Sequence, residues 1–216
     1  MHSTYIDIHT HSPIQREDVF QLPNIIIGKD PWPATYCSAG IHPRYIDTDI
    51  EMQFDSLAQF ALKKNVVALG ECGFDKLADA EWKLQVSTFQ YQIALAEELN
   101  KPLIIHCVRA YQETLHLLNK TTMPAVFHGF NKKIELARQI LQQGHCLSLG
   151  ADILYGRMDE HIRELPLDRI FFETDGKAIS IIDIYTYFCS IRKITPEQLR
   201  EQIGRNFEKV FKHIAE

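Results

Sequence analysis

The chain has 216 residues, 45% of them hydrophobic and 24% charged, which excludes a disordered or fibrous polypeptide and fits one globular domain over residues 1–216 with a sizeable core. A formal net charge of -5 excludes a general cationic field for a polyanion, although two bound divalent cations would reverse the potential of a pocket locally. No apolar run approaches the roughly 18 residues of a membrane span, and Cys37, Cys72, Cys107, Cys146 and Cys189, without C-x-x-C spacing, read as buried free thiols in a reducing, cytoplasmic setting.

Short β-rich runs alternate with longer helical patterns, the mark of parallel βα units. Strands are expected at residues 5–9, 24–27 and 35–41. The stretch from Gly28 to Pro33 holds no helix, whereas a parallel crossover ordinarily contains one. There follow helix 54–63, strand 66–71, helix 80–98, strand 102–106, helix 110–118 and strand 125–128. The rest reads as helix 132–142 with Gly144 as its cap, strand 146–149, a short helix 158–164, strand 170–174, and helices 181–191 and 196–214. Thr195-Pro196-Glu197-Gln198 supplies an N-cap, a proline at the first helical position and an acidic first turn. Eight strands in this alternation predict an α/β fold: a (β/α)8 TIM-like barrel, abbreviated or irregular in its N-terminal βα units.

Metal-capable side chains fall at the carboxyl ends of these strands, where barrels place their chemistry. His9 and His11 flank Thr10, and the two-residue period of an extended chain points both imidazoles to one side. Glu71, His106, His128 and Asp175 each end a further strand. Any one of them alone reads more readily as a hydrogen-bonded core residue or a helix cap. Four histidines and two acids at strand ends, taken together, read as a site for divalent cations. That donor mix suits zinc first, with manganese, iron or nickel as alternatives, while magnesium prefers more oxygen. His42, in Gly40-Ile41-His42-Pro43, faces the same rim; His2, His116, His145 and His161 receive no role.

Seven segments, in order, carry a resemblance: Asp7-Ile8-His9-Thr10-His11, Gly40-Ile41-His42-Pro43, Gly70-Glu71-Cys72-Gly73-Phe74-Asp75, Pro102-Leu103-Ile104-Ile105-His106-Cys107, Phe127-His128-Gly129-Phe130, Glu173-Thr174-Asp175 and Gly204-Arg205-Asn206-Phe207. With them the chain resembles the TatD family of metal-dependent deoxyribonucleases, a branch of the metal-dependent hydrolase barrels. The resemblance implies two divalent cations, with Glu71 bridging, His9, His11 and Asp175 completing one metal, and His106 and His128 the other. It implies hydrolysis of a phosphodiester, in DNA or a smaller phosphoester, by a metal-activated water. Asp175 would orient the water and take its proton, and His42 would hold the phosphoryl oxygens. Arg109 and Lys177 stand as further substrate contacts, against a helix-turn salt bridge or plain solvation as their alternatives. No obligate protein partner or membrane is implied.

The chain departs from the family pattern after Asp175. Gly176-Lys177-Ala178 replaces a small residue, a proline and an aromatic, and the chain runs almost directly into Ile179-Ser180-Ile181 where relatives carry a long loop with arginine and proline. Three other readings compete. A PHP-type phosphatase shares D-x-H-x-H-S but closes on a late Asp-x-His that is missing here. An amidohydrolase acting on a C–N or ester bond usually has a carbamylated lysine where Glu71 stands. A non-catalytic metal-binding relative would keep the ligands and lose the substrate loop.

Overall fold

A computed structural model describes residues 4–212. The elements run β1 (Tyr5–Thr10), β2 (Val19–Ile26), β3 (Cys37–Gly40), α1 (Ile50–Ala61), β4 (Val66–Asp75), α2 (Trp82–Glu98), β5 (Leu103–Val108), α3 (Tyr111–Leu118), β6 (Ala125–Phe127), α4 (Ile134–Gln142), β7 (Cys146–Leu149), α5 (Asp159–Glu164), β8 (Ile170–Phe172), α6 (Ile181–Arg192) and α7 (Pro196–Val210). The strands follow one another in sequence order, β1 to β8, and their registers are parallel. This is the connectivity of the (β/α)8 barrel. The expected abbreviation is present: no α-helix lies between β1 and β2 or between β2 and β3 among the described residues. The last helix was expected to reach residue 214; it ends at Val210 with Phe211 as its C-cap, and residue 214 lies outside the described residues. Among the described residues no helix is long and apolar enough to cross a membrane.

The described chain divides into two compact units, one of residues 4–23 and 127–212, the other of residues 24–126. In the first, β1 pairs with the opening of β2, Tyr5 opposite Val19 and Asp7 opposite Gln21. The Tyr185 hydroxyl of α6 donates to the Ile6 carbonyl and accepts from the Ile6 N–H, at 3.1 and 3.2 Å. Asn206 of α7 is buried, and its amide donates to the carbonyls of Leu167 and Ile170 at 2.7 and 2.9 Å. Gly204-Arg205-Asn206-Phe207 thus owes its asparagine to the entry of β8: these buried carbonyls need a donor. Helix α7 begins as its sequence indicates, with the Thr195 hydroxyl accepting from the Gln198 N–H and Gln198 Oε1 from the Thr195 N–H.

In the second unit, two buried glutamines of α2 pin the carboxyl ends of neighbouring strands. Gln92 donates to the Ile41 carbonyl and accepts from its N–H, at 3.0 and 2.8 Å. Gln85 does the same for Asp75, at 3.1 and 3.0 Å. Strand β4 is buried at every position, as a parallel strand covered on both faces should be. Its register against β5 shifts between Leu69 and Cys72. Gly70 and Gly73 have φ of +139° and +131°, and a Cβ there would lie 2.3 Å from the Ile104 carbonyl oxygen and 2.2 Å from that of His106. Glycine is needed at both positions because β5 leaves no room for a side chain.

Candidate metal centre

The first unit brings together four of the residues singled out in the sequence. His9 is fully buried in β1; His11, just past its end, is exposed. Asp175 follows β8 with φ of +52°, a left-handed conformation that Asp tolerates better than most residues. Its N–H donates to the His9 carbonyl at 3.0 Å. Asp175 Oδ1 lies 3.6 Å from His9 Nε2 and 3.7 Å from His11 Nε2. The His128 ring, immediately after β6, sits 4.4 Å from that of His9. One ligand atom each from His9, His128 and Asp175 falls within 4.8 Å of the others.

Two buried acids that the sequence reading left without a role support this cluster. Glu173 Oε1 accepts from the Gly129 N–H at 2.7 Å and lies 3.2 Å from His128 Nδ1. A carboxylate only accepts, so Nδ1 carries the hydrogen and Nε2 keeps a lone pair for a cation, the carboxylate–histidine arrangement typical of metal ligands. Asp7 accepts from the Thr174 N–H and hydroxyl, at 3.0 and 2.8 Å, and from Gln21 at 3.0 Å, tying β1 to the Glu173-Thr174-Asp175 run. Burial pushes the Asp7 carboxyl above its ordinary range, against the hydrogen bonds from Gln21 and Thr174.

The second unit brings together His42, Glu71 and His106, again within 4.8 Å. Glu71 sits at the β4 irregularity, its N–H held by Asn24 Oδ1 at 2.6 Å. Its Oε1 lies 2.6 Å from His106 Nδ1 and 3.2 Å from His42 Nε2. His106 Nε2 lies 3.3 Å from Asp75 Oδ2, so this imidazole stands between two carboxylates. With Asp75 accepting from Nε2, Nδ1 and Glu71 Oε1 are two acceptors face to face, which need a proton or a cation between them. His42 differs. Its Nδ1 accepts from the Arg44 N–H at 3.0 Å, which leaves the hydrogen on Nε2. His42 is therefore a hydrogen-bond donor toward the Glu71 side, not a metal ligand.

Asp75 is fully buried and also accepts from Arg44 Nε at 2.5 Å and the Leu77 N–H at 2.8 Å. Burial pushes its carboxyl up, but the hydrogen bonds from Arg44, Leu77 and His106 outweigh it and hold the group below the usual range. Arg109 and Lys177 are exposed, and their side chains make no hydrogen bond or ion pair among the described residues. Four of the five cysteines are buried and all are free thiols, as expected.

His9, His128 and Asp175 in the first unit, and Glu71 with His106 in the second, are donors that fit a divalent cation. Ligands on one ion with bonds of roughly 2.0–2.2 Å lie up to about 4 Å apart, close to the spread of each cluster, and imidazole with carboxylate is the chemistry transition metals take.

The family model described as TatD related DNase matches residues 26–212. The chain belongs to that TatD family. It is 29% identical over 195 residues to YcfH of Escherichia coli strain K12, an uncharacterized metal-dependent hydrolase, covering 81% of this chain and 72% of that protein. YabD of Bacillus subtilis strain 168, also described as an uncharacterized metal-dependent hydrolase, is 34% identical over 150 residues, 65% of this chain and 58% of that one. The crystal structure of YjjV, a TatD homologue from Escherichia coli K12, matches at a TM-score of 0.84 over 98% of this chain and 99% of that one. At 20% identity that likeness shows the shared barrel fold. This TatD-family member is a metal-dependent hydrolase.

Proposed function

We propose that the enzyme hydrolyses phosphoester bonds, a phosphodiester in DNA or a smaller molecule, with one divalent cation at the His9/His11/His128/Asp175 cluster and one at Glu71/His106. The observation that carries the reading is the carboxylate behind an imidazole in each cluster: Glu173 sets the His128 tautomer, and His106 stands between Asp75 and Glu71. Zinc is the first candidate, with manganese, iron, nickel or magnesium as alternatives. Such ions, when bound, acidify a water and stabilise charge on phosphoryl oxygens. Asp175, aimed by its backbone bond to β1, orients the water and takes its proton. Glu71 holds its cation, and the single Nε2–H of His42, which faces Glu71 in the free enzyme, passes to a phosphoryl oxygen as charge builds there. Arg109 and Lys177 are left to contact the outer part of a longer substrate.

The short passage from Asp175 into α6 leaves few residues to grip an extended strand, which favours small phosphodiesters. The test is turnover of bis-p-nitrophenyl phosphate and of a short oligodeoxynucleotide by metal-loaded enzyme, with and without a chelator. Chelator-sensitive release of nitrophenol is expected. Metal-loaded enzyme inert on every phosphoester would sink the reading.

A further inference from the structure

Asp75 is fully buried, yet its partner is half-exposed. Arg44 follows the His42-Pro43 turn and donates through Nε to Asp75 Oδ2, the same oxygen that faces His106 Nε2. Its backbone N–H meanwhile sets the His42 tautomer. Asp75 Oδ1 is taken by the Leu77 N–H, so the carboxylate cannot turn away. An arginine serving only as a counter-ion gains most from two parallel bonds to one carboxylate. Arg44 uses Nε alone, and neither Nη1 nor Nη2 makes a hydrogen bond to any described residue. The guanidinium is thus clamped along one edge and keeps open the Nη edge, whose two N–H groups match two oxygens of a phosphoryl group. Arg109 and Lys177, the cations the sequence suggested, have no such anchor, and binding would have to order them first.

We propose that Arg44 is a substrate-binding residue gripping the phosphoryl oxygens of the ester presented to the His42/Glu71/His106 cluster, with Asp75 as the residue that positions it. The proposal rests on the phosphoester reading above. Because the charge is in place before substrate arrives, its removal falls on binding, and so on KM and kcat/KM.

The test is calorimetric titration of metal-loaded enzyme with inorganic phosphate, and kinetics on bis-p-nitrophenyl phosphate, for wild type, Arg44→Met and Arg44→Lys. Loss of a hydrogen-bonded charge predicts phosphate binding about ten- to a hundredfold weaker in Arg44→Met, with KM raised and metal content at the wild-type level. Arg44→Lys recovers part of the affinity, since it keeps the charge without the fork, and it provides the comparison if the Met variant folds poorly. Since this diester has a single phosphate, a raised KM places Arg44 at the reacting group, not at a flanking one. Unchanged phosphate affinity, an unchanged KM, or metal content falling in step with activity overturns the proposal and leaves Arg44 as a neutraliser of Asp75. Arg44-dependent phosphate binding in an enzyme that turns over no phosphoester would overturn the phosphoester reading instead.

Discussion

Two imidazoles of the clusters take their proton position from a neighbouring hydrogen-bond partner. His128 takes its tautomer from Glu173, and His42 from the Arg44 N–H. Glu71 is the carboxylate that both His42 and His106 face. Replacing it with Gln removes the anionic oxygen and nearly preserves the shape. Glu71→Gln reconstituted with zinc is expected to retain at least one equivalent less metal than wild type, with an unchanged circular dichroism spectrum. A full wild-type complement would show that Glu71 is not a ligand. The candidate ligands were legible in the sequence because each ends a strand. Asp7, Asp75 and Glu173 were not, although they lie in the same motifs. An acid beside a strand end looks like a helix cap until the imidazole or hydroxyl it serves is known.

Among the elements, β4 shows most plainly how a motif encodes geometry. Gly70 and Gly73 flank Glu71, and both are demanded by the carbonyls of β5. Gly73→Ala would set a Cβ against the His106 carbonyl oxygen in a backbone region that side chains avoid, two penalties with no flexible neighbour to absorb them. It is expected to cost more than about 3 kcal/mol of stability, read from urea unfolding; a loss below about 1 kcal/mol would mean that β5 shifts freely. The strand limits were read less well than their order. The sequence reading starts β2 at Asn24. It starts at Val19, because Tyr5 to Asp7 supply partners for Val19 to Gln21. Helix α7, by contrast, was legible to its first residue, since its capping box is purely local.

At the scale of the whole molecule, stability should respond to pH through a histidine far from any chemistry. Burial, reinforced by Arg169, pushes the His145 pKa from 6.5 down to about 4. Between these values the unfolded chain takes up a proton that the folded state refuses, so stability falls as pH drops from about 6.5 toward 4. The loss at pH 4.5 relative to neutrality is about 2 to 3 kcal/mol from this group. Comparing wild type with His145→Gln by urea unfolding at both pH values subtracts the contributions they share; equal losses in the two proteins would show that His145 titrates alike in both states. Order and type of the elements, the abbreviated start of the barrel, and the histidines and acids at strand ends were determined by the sequence itself, because periodicity, caps and strand termini are properties of neighbouring residues. Tertiary structure alone decided the tautomers of His42 and His128, the clamp of Asp75 on Arg44, and the bond of Asp7 to Thr174 across 167 positions. Those depend on which polar groups meet after the chain has folded, and a buried acceptor takes whichever donor the packing delivers to it.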